Sequence, residues 1–308
     1  MAAVALVMAQ GCRPASEMPV VSDTDALAEK ALTVDSCFTK DTVFVLGGRE
    51  IPFVKIERIY PTEHQDAYIS MRVFALRDSS CVNGCLGRIV SENFGLVSGG
   101  DLSYRSGRRT PADVARQMDY YGDVFVDTIL PQLKGAVEES GFFMNMDLRP
   151  AWADAEKGII TYSSYVESCG GGACDVDAYY VSFSRDCNSE LTLAQLVPDP
   201  DRRREVREAL VDEIADDAHL SPDALLRRVS DYIAPGAIEP LTAATFPVEH
   251  VALMGTSLVF SYPEGTIAPV AEGCPMYTIP FPKNRPRPEY CAAPAMPIKL
   301  HDILKTNI

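Results

Sequence analysis

In the first third of the chain, short apolar-rich runs of strand-forming residues predict strands. Residues 42–46 and 51–59 are two such runs, rich in β-branched and aromatic side chains. Gly47-Gly48 between them predicts a hairpin. In residues 67–76, Tyr68, Ser70 and Arg72 alternate with Ile69, Met71 and Val73, the pattern of a half-buried strand. Residues 77–110 are rich in Gly, Ser and Arg and read as a long loop or a short hairpin. The period then lengthens. Val114, Met118, Tyr121, Phe125 and Ile129 recur at helical spacing behind Thr110 as a cap and Pro111 at the first helical position, and Pro131 ends the run. Strands are expected at 141–148, 158–166 and 177–184, the last two joined as a hairpin through Cys169-Gly170-Gly171-Gly172-Ala173-Cys174. Two amphipathic helices follow, at 200–218 and from Ser221 onward, and strands return at 258–262 and 276–280. The proline-rich stretch 282–297 reads as an extended strap. Strands and helices do not alternate regularly. The fold class expected is therefore α+β: antiparallel sheets with a few packed helices and disulfide-stapled loops.

The N-terminus changes the picture by fixing a compartment. Residues 2–11 are apolar or small, too short to span a bilayer, and stop at Cys12. They resemble a lipoprotein signal peptide, with Cys12 as the lipid anchor of an exported protein facing the periplasm or the cell exterior. Residues 12–40 then form a flexible tether, 41–164 an N-terminal α/β domain, and 165–308 a C-terminal domain. In that compartment the other eight cysteines are expected to pair, and the simplest scheme is local. It joins Cys81 to Cys85, Cys169 to Cys174 and Cys274 to Cys291, leaving Cys37 for Cys187. A four-thiolate zinc site built from Cys81, Cys85, Cys169 and Cys174 is the alternative in a reducing cytosol.

Charge excludes one class of partner. A net charge of -15 repels nucleic acid and anionic headgroups, and it favours basic partners. The bland reading is that acidity keeps an exported protein soluble. A hydrophobic content of 47% supports a full core without help from disulfides.

Catalytic chemistry leaves no signature. None of His64, His219, His250 and His301 lies three or four residues from another, so no helical pair of imidazoles grips a metal. His250 reads as a surface histidine at a turn. Gly255-Thr256-Ser257 lacks the second glycine of a nucleophile elbow. No catalytic residue, metal ligand or cofactor site is assigned. Aromatic residues are the remaining candidates: Tyr162, Tyr165 and Tyr179 on adjacent strands, and Trp152 in an expected loop, as a speculative ligand-binding set against their ordinary role as cross-strand packing.

Two stretches carry a family resemblance. Residues 165–197 run strand, glycine-rich loop, strand, then Ser189-Glu190-Leu191-Thr192-Leu193. Leu258-Val259-Phe260-Ser261-Tyr262 is followed by Ile267-Ala268-Pro269, Glu272-Gly273 and Tyr277-Thr278-Ile279-Pro280. Together they resemble the C-terminal domain of unknown function of the RsiV-type anti-sigma factor, a lysozyme receptor, a domain also found beside a peptidoglycan deacetylase. Gly171-Gly172-Ala173-Cys174 stands where such domains commonly carry Gly-Gly-Ala-His. The resemblance implies a non-catalytic binding ectodomain, with a basic protein such as lysozyme or a cell-wall glycan as partner and membrane contact only through the lipid. An envelope hydrolase acting on peptidoglycan is the alternative.

Overall fold

The computed structural model describes residues 38–61, 67–98, 109–129, 131, 141–170, 173–185, 189–235, 241–268 and 273–281. Strands β1 (Phe38–Leu46) and β2 (Arg49–Pro61) form the expected hairpin, and β3 (Ala67–Leu76) continues it antiparallel. Gly47 and Gly48 turn the chain at φ 56° and 78°. They are not equivalent. A Cβ on Gly47 would lie 2.3 Å from the carbonyl oxygen of Ala153, whereas one on Gly48 would meet nothing. Gly47→Ala is therefore expected to cost about 2–4 kcal/mol, from left-handed strain plus a backbone clash, and Gly48→Ala only about 1 kcal/mol. Urea titration of both variants checks this.

Residues Cys81–Ser98 form helix α1, where the sequence reading expected a loop. Val82, Cys85, Leu86, Ile89 and Val90 are buried at helical spacing, so tertiary packing overrides the local cost of Gly84 and Gly87. Gly87 has its own reason to be small. A side chain there would run into the Gln117 amide on helix α2 (Pro111–Val124). The α2 cap forms as the sequence predicts: Thr110 Oγ1 accepts from the Asp113 N–H while the Asp113 carboxylate accepts from the Thr110 N–H at 2.9 Å. The chain widens into a π-type turn at Phe125–Ile129.

Strands β4 (Phe142–Asp154), β5 (Ile159–Gly170) and β6 (Ala173–Ser184) complete a six-stranded sheet in the order β1-β2-β3-β4-β5-β6. Every pairing is antiparallel except β3 with β4, because α1 and α2 carry the chain back to the same end of the sheet. Residues 164 and 165 lie together in the middle of β5. Trp152, expected in a loop, is on β4 beyond a register shift at Pro150.

Helical turn α3 (Leu193–Leu196) and helices α4 (Pro200–Asp217) and α5 (Pro222–Ile233) follow, capped by Thr192, Asp199 and Ser221. Strands β7 (His250–Met254), β8 (Ser257–Ser261) and β9 (Met276–Pro280) form a second, antiparallel sheet. One core lies between α1, α2 and the six-stranded sheet, centred on Ile56, Ile69, Met71, Leu86 and Tyr162. The other gathers Leu210, Ile214, Phe246, Phe260 and Tyr262 among α4, α5 and the small sheet.

Hydroxyl side chains join the two sheets. Ser182 Oγ accepts from the Leu253 N–H at 2.9 Å, Thr161 Oγ1 donates to the Leu253 carbonyl at 2.7 Å, and Ser261 Oγ accepts from the Tyr180 N–H at 3.2 Å. All three hydroxyl residues are fully buried, and both main-chain groups of Leu253 on the edge strand β7 are satisfied by side chains in place of a strand.

Candidate functional site

Strands β5 and β6 run antiparallel with Ser164 opposite Tyr179 and Val166 opposite Asp177, which sets Ser164, Tyr179 and Asp177 on the helix-covered face. His250, at the start of β7, stacks flat on Tyr179 with ring centroids 3.9 Å apart and planes 11° apart. It is no surface residue at a turn: its side chain is 22% exposed, and its Nδ1 lies 3.7 Å from Glu190 Oε2. Glu190 is placed by an isolated bridge to Phe183 on β6. From α1, the Arg88 guanidinium is shared between Glu190 at 3.5 Å and Glu92 at 3.6 Å.

The electrostatics of this junction are unbalanced toward negative charge. Burial raises the Asp177 carboxyl above its ordinary range, and Glu264 raises it further, against the opposing pull of His250. Glu92 is raised by desolvation of its carboxyl and by the charge of Glu190, with Arg88 acting the other way. Burial also pushes the Tyr179 hydroxyl well up, so the phenol stays neutral. Asp177 Oδ1 and His250 Nδ1 are buried without a hydrogen-bond partner. Such atoms are costly to leave unsatisfied, and two of them stand in this junction. Among the described residues no group of three or more His, Cys, Asp and Glu side chains is placed to hold a metal ion. The arrangement can instead receive a hydrogen-bonding cation.

The four aromatic residues singled out by sequence do not meet. Tyr162 is fully buried in the first core and donates to the Phe74 carbonyl at 2.9 Å. Tyr165, three residues on, points to the opposite face and is 40% exposed. Tyr179 belongs to the His250 site, and Trp152 packs half-buried against the second core. Arg88, Glu92, Ser164, Asp177 and Glu190 were missed: Arg88 and Glu92 are an i, i+4 pair on a helix that the sequence did not reveal, and the others come from separate segments with no spacing that relates them.

The cysteines divide likewise. Cys169 and Cys174 face each other across the β5–β6 hairpin, Cα atoms 4.1 Å apart, and are joined by a disulfide, so the four-thiolate arrangement is not formed. Cys81 and Cys85 are free thiols one turn apart on α1 and are not bonded to each other. Their helix fixes Cys85 in the core, where burial pushes its thiol up to about 11, while Arg109 Nη1 donates to Cys81 Sγ at 2.5 Å. Cys274 Sγ donates to the Val176 carbonyl at 3.1 Å. Its expected partner Cys291, the pair Cys37–Cys187 and the anchor Cys12 lie outside the described residues. No described helix is long and apolar enough to cross a membrane.

The sequence matches no family model and no curated protein. Among solved structures, the chain is similar to a DUF3298 family protein of Pseudomonas aeruginosa PAO1, at 17% identity over 80% of this chain and 91% of that one, with a TM-score of 0.44. It is also similar to a member of the DUF3298 family from Bacteroides fragilis NCTC 9343, at 15% identity over 80% of this chain and 89% of that one, with a TM-score of 0.43.

Proposed function

We propose that this chain is an exported, lipid-anchored binding module, and that the His250 junction anchors a cationic side chain of a basic protein partner such as lysozyme. The observation that carries this reading is the charge imbalance. Asp177 and Glu92 are both held above their ordinary range, and one guanidinium serves both Glu92 and Glu190. An incoming lysine or arginine supplies the missing positive charge and donates to the unsatisfied Asp177 Oδ1. The overall charge of -15 favours the encounter with such a partner.

The sign of the pH dependence follows from the same groups. In the free protein the two carboxyls hold protons at higher pH than ordinary carboxylates, and a bound cation lowers both. Binding therefore releases protons. Affinity is fully present above the raised values and is lost as pH falls through them toward the ordinary carboxylate range. Calorimetric titration of lysozyme into the protein should give salt-sensitive binding, weakened by screening as ionic strength rises past about 0.1 M. Glu190→Gln and Asp177→Asn should each weaken it about tenfold, equivalent to ~1.4 kcal/mol. No heat at tens of micromolar, or variants that bind as the parent does, would remove this reading.

A further inference from the structure

We propose that the face of the six-stranded sheet turned away from α1 and α2 is a separate binding surface for a neutral glycan chain. Alternation along β2 sets the two faces apart. Arg58 and Tyr60 reach Asp119 on α2, so Glu57 and Lys55 look the other way. Strand register then assembles that opposite face row by row. Glu57, Arg72, Asp147 and Tyr165 stand side by side across four strands. The next row holds Ser70, Asn145 and Glu167, and the one after it Tyr68 and Phe143. Along the same face of β5, Thr161 is covered by the small sheet through Leu253, so the second layer walls one end of the platform. No described helix packs on the remaining rows.

Three observations select the ligand class. First, the charges on this face cancel one another. Lys55 and Arg72 each lie 2.9 Å from Glu57, Arg72 is 3.4 Å from Asp147, and Arg149 closes on Asp147 as well. On β2 to β5, counted with Glu167, three cations answer three carboxylates, and Lys40, opposite Lys55 on the edge strand β1, adds one more cation, so the acidity of the chain does not act here. Second, these groups keep spare bonding capacity. A carboxylate accepts at several lone pairs and a guanidinium offers five N–H donors, which together match sugar hydroxyls that both donate and accept. Third, aromatic rings stand at two positions, a half-buried pair and one exposed ring. The Tyr68 and Phe143 rings are stacked 5.6 Å apart and 10° from parallel, and Tyr165 is 40% exposed two rows away, about 13 Å along the strands. Rings of this kind take the C–H faces of pyranoses while their rims stay polar. The spacing spans several sugar units.

The inference is independent of the His250 junction. Titration of the full chain with chitohexaose and with cellohexaose, followed by amide chemical shifts, tests it. Saturable shifts on β3, β4 and β5 are expected; preference for chitohexaose assigns recognition to the acetamido group, and equal binding assigns it to the hydroxyls and ring faces. Tyr165→Ala should weaken binding about tenfold, as loss of one aromatic contact predicts. Tyr165→Phe should retain most of the affinity, and Tyr232→Ala, an exposed tyrosine on α5, should leave it unchanged. Glu190→Gln should also leave it unchanged, which separates this surface from the lysozyme reading. Absence of binding to both sugars at millimolar concentration, or binding indifferent to Tyr165→Ala, overturns the proposal.

Discussion

Asn83→Ala is expected to lower stability by about 3–5 kcal/mol, more than an ordinary polar substitution, because this side chain joins three segments at once. Its Oδ1 accepts from the Leu76 N–H at 2.8 Å. Its Nδ2 lies 2.9 Å from the Leu76 carbonyl, 3.0 Å from that of Asp78 and 3.0 Å from that of Arg109. The residue is 1% exposed, so water cannot readily replace it. Truncation leaves both main-chain groups of buried Leu76 without a partner at the junction of β3, α1 and the residue before the α2 cap. Asn83→Asp separates the two halves of the argument. It keeps the acceptor, loses the donors and turns a negative charge toward three carbonyls. It should therefore be at least as destabilising at neutral pH and recover partly in acid. Urea unfolding followed by circular dichroism measures both, and a loss below about 1 kcal/mol for Asn83→Ala would show that the bridge is dispensable.

Phe260→Ala should cost a similar 3–5 kcal/mol, since a fully buried ring on β8 is replaced by a cavity in the second core. The more informative quantity is the shape of the transition. Thr161, Ser182 and Ser261 satisfy main-chain groups across the two sheets, so a lesion in the second core should move the whole molecule along one cooperative curve. Trp152, the single tryptophan, sits on β4 of the large sheet while packing against the second core, and its fluorescence reports on both. Coincident fluorescence and circular dichroism curves are expected for the variant. Two separated transitions would show that the cores fold independently.

Strands, hairpins and capped helices were readable wherever the chain's local signals agreed with its final packing. The Thr110 cap, the Gly47-Gly48 turn and the Cys169–Cys174 hairpin all belong to that class. Helix α1 did not read, because Gly84 and Gly87 argue against a helix locally. Its apolar stripe gains meaning only against Met118 and the sheet. The aromatic set failed for a reason already present in the sequence. Tyr162 and Tyr165 are an odd number of residues apart on one strand, so a period of two puts them on opposite faces. The His250 junction was not readable in any local window. Its members are contributed by α1, β5, β6, the segment after β6, and β7, and strand register alone brings them together.

The one parallel pairing, β3 with β4, carries a kinetic consequence. On either side of it lies a three-stranded meander whose contacts are close in sequence, β1 to β3 and β4 to β6. The seam between them must wait for a long excursion through two helices to close, and that closure carries the larger entropy cost. Each meander is therefore the natural early unit of assembly. The parallel seam is where they zip together late and where the sheet parts first.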